Sequence, residues 1–160
     1  MPITSDPDPR DKSKTVYEVK KASGNVDDQS EVRMAELFSK AGNRVHFTDG
    51  IGKADLKIND VLTDVKHVKN ASSLKSAITR GKRQGPWVLV DGTSAKLTLI
   101  DAKAGIQEFE EEARRHPGPV ATIARILIVL GDLQLVVHDR APRGGAGSGS
   151  VLWTGSILHV

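Results

Sequence analysis

Two strand-like runs, Ala54 to Ile58 and Val61 to Val68, meet across Asn59-Asp60. Asn and Asp tolerate positive φ better than most residues, so the dipeptide suits a tight hairpin turn. A two-residue turn sets Ile58 opposite Val61, Lys57 opposite Leu62, Leu56 opposite Thr63 and Asp55 opposite Asp64. A four-residue loop keeps the same register. Strand parity then puts Asp55, Lys57, Leu62, Asp64 and Lys66 on one face. Opposed side chains on a sheet have Cβ atoms roughly 4.5–5.5 Å apart. Two carboxylates at that spacing repel unless one takes a proton or a cation sits between them. A hard divalent cation with oxygen ligands answers that need, and Lys66 adds an amine to the same face. The spacing also fits a diagonal surface ion pair between Asp55 and Lys66, with Asp64 left in water.

The rest of the chain reads as a mixture of helices and strands. Residues 1–14 are polar and aperiodic and read as a disordered lead or linker, with no apolar stretch of a secretory signal. Thr15 to Lys20 alternates weakly, as a short edge strand would. Asp28 to Gly42 reads as a helix with Met34, Leu37, Phe38 and Ala41 as its apolar stripe and Gly42 as its stop. Arg44 to Thr48 reads as a strand, followed by a turn at Asp49-Gly50-Ile51-Gly52. Ser72 to Gln84 reads as a basic helix closed by Gly85-Pro86, and Trp87 to Val90 as a strand buried on both faces. Leu97 to Ile100 suggests another strand. Ala102 to His116 reads as a helix whose Glu108, Glu110, Glu111 and Glu112 form a solvated face. Arg125 to Leu130 and Leu133 to Val137 flank Gly131-Asp132 as a second hairpin. The domain therefore spans 15–140. A Gly/Ser-rich flexible segment follows over 141–150, and the apolar stretch 151–160 either docks as a last strand or is extraneous. This pattern predicts an α/β fold, an α+β sandwich.

A chain of 160 residues fits one core. It holds no cysteine, which excludes disulfides, Cys-based zinc sites and thiol nucleophiles. No apolar run reaches the length of a membrane span. The net charge is only +3, but its distribution is uneven. No acid occurs between Asp64 and Asp91, an interval that holds Lys66, Lys69, Lys75, Arg80, Lys82 and Arg83. Lys69, Lys75, Arg80, Lys82 and Arg83 would track a phosphate backbone, or would simply form a solvated face. Glu31 lies three and seven residues before Met34 and Phe38, which turns it toward the core; it serves either a site or the helix dipole. Glu36 falls away from that stripe. His67 points away from the Asp64 face, and the face of His46 is not set by the sequence. Gly50-Ile51-Gly52-Lys53 lacks the full spacing of a nucleotide-binding loop.

The runs Gly52-Lys53-Ala54-Asp55, Ile58-Asn59-Asp60 and Thr63-Asp64-Val65-Lys66 together resemble the core of the PD-(D/E)XK nuclease superfamily. That resemblance implies a restriction-endonuclease-like mixed central sheet flanked by helices. It implies that Glu31, Asp55 and Asp64 hold a divalent metal ion and that Lys66 positions the attacking water. Mg2+ is the default for oxygen ligands, with Zn2+ or Mn2+ as alternatives. Within the superfamily the chain looks most like C-terminal tRNase toxin domains of bacterial contact-dependent growth inhibition proteins. Those carry an Arg-x-x-x-Gln-like end on the following basic helix, here Arg80-Gly81-Lys82-Arg83-Gln84. The likeness covers roughly Val26 to Asp91; Ala54 replaces a proline, and Asp64 stands where Glu is commoner. It implies a metal-dependent endonuclease acting on tRNA, secreted within a larger toxin, delivered to the target-cell cytoplasm and blocked by a cognate immunity protein. The alternatives are a cytoplasmic DNA-directed nuclease of repair or restriction, and a non-catalytic nucleic-acid-binding module.

Overall fold

The computed structural model describes residues 2–50, 54–140 and 151–160. The predicted turn at Ile51-Gly52 and the Gly/Ser-rich 141–150 lie outside the described residues. In chain order the elements are β1 (Thr4–Ser5), α1 (Val16–Ala22), α2 (Val26–Lys40), β2 (Val45–Phe47), β3 (Leu56–Ile58), β4 (Val61–His67), α3 (Leu74–Arg80), β5 (Trp87–Asp91), α4 (Leu99–Arg115), β6 (Arg125–Val129), β7 (Leu135–Asp139) and β8 (Ile157–His159).

Among the described residues, the eight strands join one sheet in chain order. Pairing is antiparallel at β2/β3, β3/β4 and β6/β7, and parallel elsewhere. The parallel centre β4-β5-β6 needs crossovers, which α3 and α4 supply. Both faces of the centre are covered, so β5 is buried at every position. Alternate residues serve the two layers. Val88, Val90, Ile126 and Ile128 pack with Leu74, Ile78, Ile106 and Phe109 of α3 and α4. Trp87, Leu89 and Leu127 pack with Met34 and Phe38 of α2 and with Phe47 and Leu56. Each fully buried large side chain contributes roughly 1.5–3 kcal/mol. One strand thus fastens both helical layers. This mixed sheet between helices is the predicted α/β sandwich. Among the described residues, no helix is long and apolar enough to cross a membrane.

The β3/β4 hairpin has the predicted register, Leu56 with Thr63, Lys57 with Leu62 and Ile58 with Val61. Asn59 and Asp60 adopt φ of 49° and 69°, the double left-handed turn that matches strand twist. The Asn59 side chain also accepts the Arg44 N–H at 2.9 Å, which anchors the turn to the neighbouring strand.

Several expectations are corrected. Residues 2–14 are not a disordered lead: Thr4–Ser5 pairs with β2, and the Asp6 N–H donates to Phe47 O at 2.9 Å. Asp8 is buried and accepts the N–H groups of Arg10 and Asp11 at 2.7 and 3.2 Å. Its Asp and Pro residues are turn chemistry, which composition alone does not separate from disorder. Val16 to Lys20 is helical, not part of an edge strand, because Thr15 is the N-cap and forms a capping box with Glu18 through bonds of 3.2 and 2.9 Å. Leu97 to Ile100 is no strand for the same reason: Thr98 and Asp101 cap α4. The basic helix expected over 72–84 is shorter. A 3-10 turn at Ala71–Ser73 leads into Leu74–Arg80. The β6–β7 connection runs from Leu130 to Gln134 rather than through Gly131-Asp132 alone, and Leu133 takes the positive φ of 67°. The stretch 151–160 supplies β8, parallel to β7.

Candidate active site

Asp55 lies just before β3 and is held by the next strand. Its Oδ2 accepts the Val65 N–H at 3.0 Å. One step beyond the Leu56–Thr63 pair, this places the Asp55 carboxylate beside Asp64. Asp64 is only 3% exposed. Lys66 Nζ is 2.9 Å from Asp64 Oδ2, and the two residues share the side of β4 that continues into Val88 and Val90. Burial, followed by the Asp55 carboxylate, pushes the Asp64 carboxyl up to about 7 against the pull of Lys66.

Glu31 enters from α2, in the opposite helical layer, and is 6% exposed. Burial and then the charge of Asp55 push its carboxyl up to about 8, against the pull of Lys20. The three predicted carboxylates therefore form a row, Glu31–Asp55–Asp64, with Asp55 in the middle and a lysine at each end. Lys20 Nζ of α1 is bonded to Glu31 Oε1. Glu36 is exposed beside Lys21 at 3.6 Å, outside the row.

The donor set suits a hard divalent cation, since it offers only carboxylate oxygens. One of them is under-satisfied. Asp64 Oδ2 is buried and accepts no aligned hydrogen bond, although the Lys66 ammonium at 2.9 Å pairs its charge. A buried oxygen without an aligned donor has room in its bonding for a further ligand or water. Among the described residues, no three or more His, Asp or Glu side chains converge as a ready-made ligand group. The row is thus a set of fitting residues, with Glu31 engaged by Lys20.

The basic residues do not form one patch. α3 runs back along β4, so Lys69 follows one end of the strand while Arg80, Lys82 and Arg83 gather at the other. Only Lys75 and Arg80 are on the helix itself. Lys75 is engaged by Glu112 of α4 at 2.8 Å. The α4 acids are correspondingly less solvated than expected: Glu110 is half-buried and binds His138 at 2.8 Å and Arg140 at 3.1 Å. Lys69, Arg80 and Arg83 are exposed, and Lys82 is partly so. His46 is taken up by Thr4 Oγ1 at 2.8 Å and Asp6 Oδ1 at 2.7 Å.

Two features escaped the sequence. Lys20 is the first; the Thr15-x-x-Glu18 capping signature would have made its segment a helix. The second is Asp91, fully buried at the end of β5. Its Oδ2 accepts Ser30 Oγ at 2.7 Å and Arg33 Nη1 at 2.6 Å, and its Oδ1 accepts the Thr93 N–H at 3.0 Å and Thr93 Oγ1 at 2.6 Å. Burial pushes this carboxyl up, but the Thr93, Ser30 and Arg33 bonds outweigh it and lower the pKa. The cluster pins α2 to the sheet at the residue before Glu31. A lone acid closing a wholly apolar run was the available signal.

The sequence matches no family model and no curated protein. A solved structure is similar. One chain of the CdiA-CT/CdiI toxin and immunity complex from Burkholderia pseudomallei superposes with a TM-score of 0.54 at 13% identity, over 86% of this chain and 98% of that one. At this identity the likeness shows a shared fold.

Proposed function

We propose that this chain is a toxin domain of the contact-dependent inhibition kind and hydrolyses phosphodiester bonds of nucleic acid, tRNA foremost, with a divalent cation at Glu31, Asp55 and Asp64. The observation that carries this reading is the meeting of half-buried Asp55 with buried Asp64 beside Lys66, with an Asp64 oxygen left without an aligned donor. The fold shared with a chain of a toxin and immunity complex supports the toxin context.

When bound, the cation supplies Lewis-acid stabilisation of charge on the phosphate and acidifies the water that attacks it. The chain's own residues do the rest. Asp55 is fixed by the Val65 N–H, so the spacing of the carboxylates follows from the hairpin. Lys66, held beside Asp64 at 2.9 Å, steadies the negative charge that develops on the scissile phosphate; groups of this kind are worth roughly 10²–10³ in kcat. Lys69, Arg80, Lys82 and Arg83 hold the backbone at the two ends of β4. A cognate immunity protein with an acidic face complements this surface. In this reading the domain acts in the target-cell cytoplasm after delivery within a larger protein.

A second reading, a non-catalytic nucleic-acid-binding module, is favoured by the pairing of Glu31 with Lys20 and of Asp64 with Lys66. One digestion separates the readings. The purified chain is incubated with total RNA and with supercoiled plasmid, in Mg2+, Mn2+, Zn2+ or chelator. Ion-dependent loss of the tRNA band, abolished by Asp64→Asn, is the expected result. Plasmid nicking alone transfers the activity to DNA, and no cleavage under any ion leaves the second reading.

A further inference from the structure

The Glu31–Asp55–Asp64 row carries three carboxylates and is met by two ammonium groups. Lys66 comes from the same strand as Asp64. Lys20 comes from a different place, the last turn of α1. Its side chain is only 18% exposed and the Glu31 side chain 8%. Lysine is rarely buried to this degree without a paired charge. Here the ammonium supplies positive charge to Glu31, at one end of the row.

α1 is lightly attached. The helix has seven residues, and only Val16 is buried. The Tyr17 N–H donates to Ser5 Oγ at 3.0 Å, and the Tyr17 ring stacks on Phe47 at 4.9 Å. Gln29 Nε2 of α2 donates to the Lys20 carbonyl at 3.3 Å. Lys20 therefore rides on a short peripheral helix while its charged end reaches a buried acid on another element. A long flexible side chain can withdraw from that position without moving the sheet.

We propose that Lys20 is a built-in counter-ion that occupies Glu31 in the cation-free protein and leaves it when a divalent cation binds, so that it sets the affinity of the site for the cation. A divalent cation arriving at Glu31 meets the Lys20 ammonium at short range in a poorly solvated site, and that like-charge repulsion is relieved when Lys20 leaves Glu31 Oε1. Lys20 thereby weakens cation binding and stabilises the cation-free state. The inference rests on the reading of Glu31 as part of a cation site.

The test is a calorimetric titration of Mn2+ into the full chain, without nucleic acid, at fixed pH and ionic strength. Wild type is compared with Lys20→Met and Lys20→Arg. Lys20→Met binds Mn2+ on the order of tenfold tighter, as expected on removing one partly screened competing charge. Lys20→Arg stays with the wild type because it keeps the charge. Equal or weaker binding by a folded Lys20→Met overturns the counter-ion role while leaving the cation site in place. No Mn2+ binding by any folded variant overturns the cation site and the counter-ion together.

Discussion

Asp55 Oδ2 accepts the backbone N–H of Val65 at 3.0 Å, so a side chain preceding one strand is fixed by the main chain of the next. The distance between Asp55 and Asp64 is thereby set by the register of the β3/β4 hairpin. A one-residue slip would turn Asp64 and Lys66 to the other face and replace them with Val65. The left-handed pair Asn59-Asp60 and the buried Leu56 and Ile58 guard against that slip.

The carboxylate row makes the cation-free protein sensitive to pH. Burial, first, and the Asp55 charge raise Glu31 from its ordinary 4.5 to about 8, and burial and Asp55 raise Asp64 from 3.8 to about 7. The unfolded chain loses these protons at the lower values, so across the window between them the folded state binds more protons. Unfolding free energy then falls as pH rises. The penalty is absent below the ordinary values and complete above the raised ones. Urea denaturation in chelator across this window shows a decline on the order of a few kcal/mol. Glu31→Gln and Asp64→Asn each flatten it, and a variant as steep as wild type contradicts the assignment for that residue.

Gly105 lets α4 approach α3. A Cβ there would lie 2.4 Å from Leu74 Cδ2 and 2.7 Å from Leu74 Cγ. Gly105→Ala gains up to about 1 kcal/mol of helix propensity but overpacks the contact at about 1–3 kcal/mol. The net effect is a lower Tm. Gly24→Ala, where a Cβ meets nothing within 4 Å, is the control and leaves Tm unchanged or slightly raised. Thermal melts of the two variants check this, and a Gly105→Ala protein as stable as wild type would show that α3 yields.

The basic residues differ in how far they are free to bind phosphate. Lys75 is held by Glu112 at 2.8 Å, whereas Arg83 is exposed beyond the helix. Arg83→Ala and Lys69→Ala each weaken RNA binding and reduce the slope of log K against log salt by about one. Lys75→Ala changes both less. Filter binding at several salt concentrations measures this, and an effect of Lys75→Ala equal to that of Arg83→Ala would contradict the role given to α4.

The hairpin, α2, β5 and α4 were legible because periodicity and turn residues agreed there. Asn59-Asp60 fixed the register, and with it the meeting of Asp55 and Asp64. Glu31 was legible from its spacing to Met34 and Phe38. What failed was local capping chemistry read as something else. Thr15 with Glu18 and Thr98 with Asp101 begin helices where weak alternation suggested strands. The surroundings of the site were illegible for another reason. The contacts of Lys20 with Glu31, Asp91 with Ser30 and Lys75 with Glu112 join elements far apart in the chain, and no spacing rule reaches across that separation.

The proposed function requires Asp55 and Asp64 to hold a divalent cation between them. Crystals grown with Mn2+ and measured at its absorption edge test this directly. The expected result is an anomalous peak at roughly 2.0–2.6 Å from oxygens of both carboxylates, the range for hard divalent ions. A saturated crystal with no peak between these two side chains, or with Mn2+ bound only elsewhere, would contradict it.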